Sequence, residues 1–174
     1  MGRMIFVCGP TGVGKTTYST SISKKIEGIR FSIDPWMQTH YAKDMKSLDY
    51  EWMIERVNRC YEQIWDFSKQ ILALDGNVVL DLGFTEKSQR DVFSDRGIAL
   101  GITSEVHFLD APLETRKMRV EKRNSAKDPK VYAFEVTEFM IDFMESRFKA
   151  PDDEELKTGL KIDTSLWSLP IADI

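Results

Sequence analysis

The sequence predicts an α/β fold in which helices cover both faces of a parallel sheet. Short apolar runs typical of strands alternate with longer amphipathic runs typical of helices. The 174 residues contain no internal repeat and no long linker. Hydrophobic residues make up 42% of the chain and charged residues 30%, as in an ordinary globular protein. We therefore expect a single domain spanning residues 1–174.

Five segments are predicted to be strands. The first and third are continuous apolar runs, which indicate strands buried on both faces. In chain order the predicted strands are Met4–Cys8, Ile29–Ile33, Val78–Leu82, Glu105–Leu109 and Leu160–Asp163.

The intervening segments are predicted to be helices, because apolar residues recur at three- and four-residue spacing. Thr85 is expected to cap the helix that follows the third predicted strand. Pro112 is expected near the first turn of the next helix. The predicted helices cover residues 17–26, about 48–74, about 85–100, about 112–123 and a segment starting at Thr137, and residues 124–130 are predicted to form a polar loop.

A glycine-rich loop follows the first predicted strand and fits the pattern G-x-x-x-x-G-K-[ST]. Its glycines allow backbone N–H groups to point at phosphate oxygens, and the helix that follows turns its positive end toward the same anion. The lysine can reach the β- and γ-phosphates of a nucleotide. The sequence thus predicts a nucleoside triphosphate site formed by Gly9, Thr11, Gly12, Val13, Gly14, Lys15, Thr16 and Thr17.

Asp81 ends the third predicted strand, at the sheet edge where ligands bind in open α/β folds. An acid at this position suits Mg²⁺ coordination together with the hydroxyl of Thr16. A strand-end acid that caps a neighbouring turn is the alternative interpretation.

Asp34 follows the second predicted strand, and Pro35 disfavours helical geometry at Asp34. We therefore expect Asp34 at the mouth of a strand and outside a helix. A carboxylate there can orient an acceptor hydroxyl and take its proton during phosphoryl transfer. An Asx-Pro turn is the alternative.

Three arginines, Arg116, Arg119 and Arg123, are spaced so that they can share one helix face beside the polar loop. Such cations neutralise charge on a transferred phosphoryl group, and a mobile loop beside them would exclude water as a lid. The lid is expected at about residues 119–136. A solvated basic face paired with Glu114 and Glu121 is the alternative.

The net charge of −4 argues against a nonspecific grip on nucleic acid, which requires a concentrated basic surface. Two cysteines cannot form a disulfide scaffold, and the chain shows neither a signal peptide nor an apolar run long enough for a membrane span. We expect a cytoplasmic location. The sequence does not specify the oligomeric state.

Together these residues resemble the P-loop kinase superfamily of AAA-type ATP-binding proteins. The similarity is to the compact group of chloramphenicol phosphotransferase, zeta-toxin-like kinases and the polynucleotide kinase domain. It covers nearly the whole chain, and four segments carry it: Gly9–Thr17, Phe31–Asp34, Val78–Asp81 with Arg90 downstream, and Asp110–Leu113 leading to Arg119–Asn124.

The resemblance implies a five-stranded parallel sheet of order 2-3-1-4-5 and Mg-ATP as the phosphate donor. It implies that Asp34 is the general base, that Arg123 contacts the transferring phosphate and that Arg119 covers the nucleotide. It also implies that Asp163 and Thr164 precede an adenine-contacting loop. Arg90, downstream of the third predicted strand, is expected to face either the acceptor pocket or solvent. The preference for ATP over GTP comes from this resemblance. The guanine-specific pattern Asn-Lys-x-Asp is absent from the sequence, which counts against a GTPase.

Polynucleotide kinases typically place an arginine shortly after the base, whereas the first positive charge after Asp34 is Lys43. Trp36 and Met37 suit a compact, partly apolar acceptor, or they belong to the core. The favoured hypothesis is a kinase for a small-molecule hydroxyl on a metabolite, sugar nucleotide or antibiotic. The alternatives are a 5′-hydroxyl polynucleotide kinase and a nucleotide-binding switch or interaction module without transferase activity.

Overall fold

The computed structural model describes residues 2–44, 49–128 and 134–167. Five parallel strands form one sheet in the order β2-β3-β1-β4-β5, which confirms the predicted fold class and strand order. The strands are β1 Met4–Cys8, β2 Gly28–Ser32, β3 Asn77–Asp81, β4 Ser104–Asp110 and β5 Leu160–Asp163.

Helices connect the strands, as parallel pairing requires. A short 3₁₀ turn, Glu155–Thr158, precedes β5. The described α-helices are α1 Lys15–Lys25, α2 Ile33–Tyr41, α3 Tyr50–Ala73, α4 Lys87–Ile98, α5 Leu113–Ala126 and α6 Glu138–Arg147. Among the described residues, no helix has both the length and the apolar character that crossing a bilayer requires.

The core lies on both faces of the sheet, because all five residues of the central strand β1 are inaccessible to solvent. On one face, Phe6 and Leu80 pack with aromatic residues of the α3 and α4 side of the molecule. On the other face, Ile5 and Val79 pack with Tyr18 of α1. Burial of both faces explains why β1 and β3 are apolar runs without alternation.

The prediction that Pro35 keeps Asp34 out of a helix is wrong. α2 begins at Ile33, so Asp34 is its second residue and Pro35 its third. Proline is tolerated in the first turn of a helix because the N–H that it lacks would have no intrahelical partner there. Asp34 still lies two residues after the end of β2, so it remains at the carboxyl edge of the sheet.

Two helix boundaries also differ from the prediction. The N-cap of α4 is Glu86, and the side chain of Gln89 accepts hydrogen bonds from the backbone N–H groups of both Glu86 and Thr85. Thr85 therefore lies one residue before the cap. α5 continues to Ala126, so the first residues of the predicted polar loop are helical.

Candidate active site

The phosphate loop joins β1 to the first turn of α1, and its glycines are required by geometry. Gly12 has a φ of +81°, and a Cβ atom there would lie 2.6 Å from the backbone oxygen of Arg116. Gly14 has a φ of +101° and occupies the N-cap position of α1. These conformations are accessible to glycine at low cost, and they place the loop at a helix N-terminus, where anions bind.

Lys15, the first residue of α1, folds back over the loop. Its Nζ atom donates hydrogen bonds to the carbonyl oxygens of Gly9 at 2.8 Å and Pro10 at 3.0 Å. Desolvation lowers the pKa of Lys15, while the nearby Asp81 and Asp34 carboxylates act in the opposite direction. The structure thus brings Lys15 and both candidate carboxylates together. Thr16 and Thr17 occupy the same first turn of α1.

Asp81 is the last residue of β3 and only 5% exposed. Its Oδ2 atom accepts hydrogen bonds from Ser19 Oγ at 2.9 Å and from Arg30 Nη2 at 2.6 Å. Neither Arg30 nor Ser19 was among the predicted site residues. The available signal was a charged residue, Arg30, inside a short strand between Ile29 and Phe31.

Asp34 lies close enough to the other charged groups of the site for their charges to change its pKa. Desolvation raises the pKa of Asp34, and the neighbouring Asp81 carboxylate raises it further. Lys15, Arg123 and Arg30 act in the opposite direction. Asp34 is exposed at the surface, so its carboxyl group keeps access to solvent, while the protein atoms packed around that group disfavour its charged form. Perturbed acids of this kind cluster at functional sites.

The predicted lid arginines have different surroundings. Arg123 is half-buried and near enough to Asp34 to influence its pKa. Arg119 donates hydrogen bonds to Thr164 Oγ1 at 3.2 Å and to the carbonyl oxygen of Trp167 at 3.1 Å. Residues 129–133 of the expected lid lie outside the described ranges, so the extent of the lid stays a prediction.

The segment after β5 is joined to the phosphate loop. The buried Thr164 donates from Oγ1 to the carbonyl oxygen of Val13 at 2.9 Å. Asp163 is exposed, and its Oδ1 atom accepts a hydrogen bond from the N–H of Ser165 at 2.8 Å, which shapes the turn. The Trp167 ring lies 3.8 Å from the position that a Cβ atom on Gly14 would take. Trp167 was not predicted as a site residue.

Arg116 does not share an open cationic face with Arg119 and Arg123. It is buried, and its guanidinium binds both carboxylate oxygens of Glu145 at 2.8 Å. It also donates to the carbonyl oxygen of Thr11 at 3.3 Å. Arg116 therefore ties α5 and α6 to the phosphate loop.

The expectation that Arg90 lies at the acceptor is not supported by its geometry. Arg90 is 1% exposed, and its Nε and Nη2 atoms donate to Glu155 at 2.6 Å and 3.1 Å. Its Nη1 atom donates to the carbonyl oxygen of Lys149 at 3.0 Å. Every nitrogen of the guanidinium is used inside the protein. Trp36 and Met37 are partly buried and pack against the core.

The donors near the loop fit Mg²⁺ that arrives with a nucleotide. Among the described residues, no group of three or more His, Cys, Asp or Glu side chains is placed to hold a metal ion. Mg²⁺ prefers hard oxygen ligands and usually takes one or two from the protein, with phosphate oxygens and water completing the octahedron. The Thr16 hydroxyl and the Asp81 carboxylate are oxygen donors of this kind, and they are the residues that would hold the ion.

A glycine loop between β1 and α1 of a 2-3-1-4-5 sheet defines the P-loop class of nucleotide-binding folds. The family model described as "AAA domain" matches residues 4–151. The chain therefore belongs to this AAA domain family. No curated protein matches the sequence significantly.

Solved structures share this fold at low sequence identity. Kti12 of Chaetomium thermophilum in complex with ADP-AlF3 has a TM-score of 0.67 and 15% identity, over 92% of this chain and 88% of that one. A gluconokinase of Sinorhizobium meliloti has a TM-score of 0.62 and 15% identity, over 92% and 82%. The APS kinase CysC of Mycobacterium tuberculosis in complex with AMPPNP and APS has a TM-score of 0.61 and 20% identity, over 93% and 88%.

Proposed function

We propose that this protein is a kinase that transfers the γ-phosphoryl group of Mg-ATP to a hydroxyl group of a small molecule. The observation that carries the proposal is the position of Asp34. This carboxylate lies at the carboxyl edge of the sheet, within the electrostatic field of Lys15, Asp81 and Arg123, and its pKa is raised. A base with a raised pKa beside a phosphate loop is suited to taking a proton from an acceptor.

The residues around the loop would hold the donor nucleotide. Loop N–H groups and Lys15 bind the β- and γ-phosphates, while Thr16 and Asp81 supply oxygen ligands for Mg²⁺. Bound Mg²⁺ neutralises phosphate charge. Arg119 and the turn at Asp163 and Thr164 lie beside the loop, where they can cover the nucleotide base.

The transfer step uses Asp34 and Arg123. Asp34 accepts a hydrogen bond from the acceptor hydroxyl and takes its proton as the oxygen–phosphorus bond forms. The bond between the γ-phosphorus and the bridging oxygen breaks, and the bridging oxygen keeps the electron pair of that bond as ADP leaves. Arg123 stabilises the negative charge on the transferred group.

A small acceptor is supported by three observations. The gluconokinase and the APS kinase that share the fold are named for compact acceptors. In this chain the segment after Asp34 has no positive charge before Lys43, whereas a groove for a polynucleotide backbone needs cations. The half-buried Trp36 and Met37 beside Asp34 leave a partly apolar surface.

The proposal is tested by Asp34→Asn. Wild-type protein is incubated with Mg²⁺, ATP labelled in its γ-phosphate and a panel of sugars, nucleosides and other hydroxylated metabolites. Once a labelled product is found, Asp34→Asn should reduce its rate of formation at least about a hundredfold, because general base catalysis contributes that much or more. The affinity for a non-hydrolysable ATP analogue should survive.

Asp153→Asn is the matched control, because Asp153 is exposed and lies two residues before the 3₁₀ turn. It should leave both transfer and binding unchanged. Unchanged transfer in Asp34→Asn would remove Asp34 as the base. Nucleotide binding without any labelled product across the panel, including single-stranded oligonucleotides, would favour a binding module without transferase activity.

A further inference from the structure

Three side chains form a closed ring of hydrogen bonds next to the phosphate loop. Arg30 Nη2 donates to Asp81 Oδ2 at 2.6 Å, and Arg30 Nε donates to Ser19 Oγ at 2.6 Å. Ser19 Oγ lies 2.9 Å from the same Oδ2 atom and donates to it. Ser19 is fully buried, and the side chain of Arg30 is 21% exposed. We call these three residues the carboxylate clamp.

The fold brings the clamp together from three elements. Arg30 on β2 lies beside Val79 on β3 in the parallel register. Val79 and Asp81 project to the same face of the sheet, because side chains two residues apart in a strand share a face. Ser19 lies on α1, which packs against that face. The Ser19 Oγ atom is also 3.1 Å from the backbone carbonyl oxygen of Thr16. The side-chain hydroxyl of Thr16 is the other candidate metal ligand.

Both contacts of the clamp use one oxygen of Asp81. Two donors on Oδ2 fix the rotation of the carboxylate about its Cβ–Cγ bond. No hydrogen bond from the described part of the chain occupies Oδ1, which can therefore take another ligand. Carboxylates that coordinate metals are commonly held in this way by hydrogen-bond partners that do not touch the metal. A guanidinium suits the task because its Nε and Nη2 atoms lie in a rigid fork that can reach two acceptors at once.

We propose that Arg30 is a positioning residue that holds Asp81 for the Mg²⁺ accompanying the nucleotide. The inference rests on the metal role given to Asp81 in the proposed function, and it does not depend on the identity of the acceptor. Arg30 also carries a positive charge. A bystander cation this close to a metal ligand would weaken metal binding, so positioning and simple repulsion predict opposite effects of removing it.

The test measures metal-dependent binding. The full chain is titrated calorimetrically with a non-hydrolysable ATP analogue, once with Mg²⁺ and once with EDTA. The ratio of the two affinities is the magnesium enhancement. Arg30→Ala should lower this ratio about tenfold or more, the usual loss when a partner of a metal ligand is removed. The affinity in EDTA should not change.

Two further variants separate geometry from charge. Arg30→Lys keeps the charge but loses the two-pronged fork, so it should also lower the magnesium enhancement. Ser19→Ala removes one donor to Oδ2 and should lower it less than Arg30→Ala. An enhancement in Arg30→Lys equal to that of the wild type would mean that charge alone acts, which would overturn the positioning role.

Asp81→Asn sets the lower limit of the magnesium enhancement. Arg3→Ala is the matched control, because Arg3 also pairs with a carboxylate, Glu105, but precedes β1 at the opposite edge of the sheet. It should retain the wild-type ratio. An unchanged or larger ratio in Arg30→Ala would overturn the inference, as would a wild-type protein without magnesium enhancement. Failure to phosphorylate any acceptor would contradict the kinase proposal alone.

Discussion

Asp34 carries an electrostatic cost in the folded protein, because its raised pKa means that folding disfavours its charged form. The favourable contribution of a group with a raised folded pKa is complete below its unfolded pKa. That contribution is lost as the pH rises through the folded value. At neutral pH, Asp34 therefore destabilises the fold relative to a neutral side chain of the same shape. Functional sites often include such costs.

Asp34→Asn should accordingly raise the melting temperature at neutral pH. The gain should shrink toward about pH 4, where Asp34 becomes protonated in the folded and then in the unfolded chain. Melting curves across this range, followed by circular dichroism, measure the effect. Asp153→Asn should show no comparable pH dependence. A gain for Asp34→Asn that is the same at every pH would contradict the raised pKa.

The residues of the phosphate loop were predictable because their geometry is local. The turn needs glycine at fixed positions, and the pattern is complete within eight adjacent residues. Arg30 was not predictable in the same way, because its partners Ser19 and Asp81 are 11 and 51 positions away. The pairing of Arg90 with Glu155 spans 65 positions. Without the register of the sheet, these arginines cannot be assigned to partners.

At the scale of elements, a buried ion pair joins α4 to the 3₁₀ turn before β5. Arg90 is 1% exposed, and the side chain of Glu155 is 9% exposed. Removing Arg90 leaves the Glu155 carboxylate with weaker partners, the Lys87 ammonium 3.6 Å away and the N–H of Asp152 at 3.1 Å. Loss of the main partner of a buried charge is strongly destabilising. Arg90→Ala should therefore lower the free energy of unfolding by about 3–5 kcal/mol, measured by urea denaturation.

Two variants make this prediction specific. Lys69→Ala disrupts an exposed pair with Asp66 and should have little effect on stability, because solvent screens such pairs. Replacing both partners, Arg90→Met with Glu155→Leu, should recover most of the stability lost in Arg90→Ala, since no buried charge remains. A small loss in Arg90→Ala would contradict the prediction and would mean that Lys87, 3.6 Å from Glu155, compensates the carboxylate.

The elements themselves were predicted best where hydrophobic pattern alone decides them. β1 and β5 have the predicted bounds, and α3 begins and ends within about two residues of expectation. α2 was missed because Pro35 was interpreted as a helix breaker, although a proline at the third helical position is compatible with the first turn. The restriction that a proline places on the preceding residue disfavours helical geometry, but it does not exclude that geometry in the first turn, where Asp34 and Pro35 lie.

At the scale of the whole molecule, charged side chains from the strands and the surrounding helices lie together at the carboxyl edge of the sheet. Asp34 lies in the first turn of α2 just after β2, and Asp81 ends the neighbouring strand β3. Lys15 begins α1 after the phosphate loop, and Arg123 comes from α5. Arg116 ties α5 and α6 to the loop through Thr11 and Glu145. Proteins with 15–20% identity share this fold, so the fold tolerates wide sequence change.

Nucleotide binding should stabilise the domain as a unit, because a ligand that binds only the folded state shifts the unfolding equilibrium. With Mg²⁺ and a non-hydrolysable ATP analogue at one hundred times the dissociation constant, the expected gain is about 2.7 kcal/mol. For a chain of 174 residues, this corresponds to a rise in melting temperature of roughly 5–10 °C.

Lys15→Ala should abolish most of this rise, because the substitution removes the ammonium group that reaches the phosphates. Lys24→Ala is the matched control, since Lys24 lies exposed in the last turn of the same helix α1. It should keep the full rise. Thermal melts of the three proteins at equal ligand concentration make the comparison. An equal rise in Lys15→Ala would mean that the nucleotide binds away from the loop. The roles proposed for Asp34, Asp81 and Arg30 would then fail together, because each assumes a nucleotide bound at the loop.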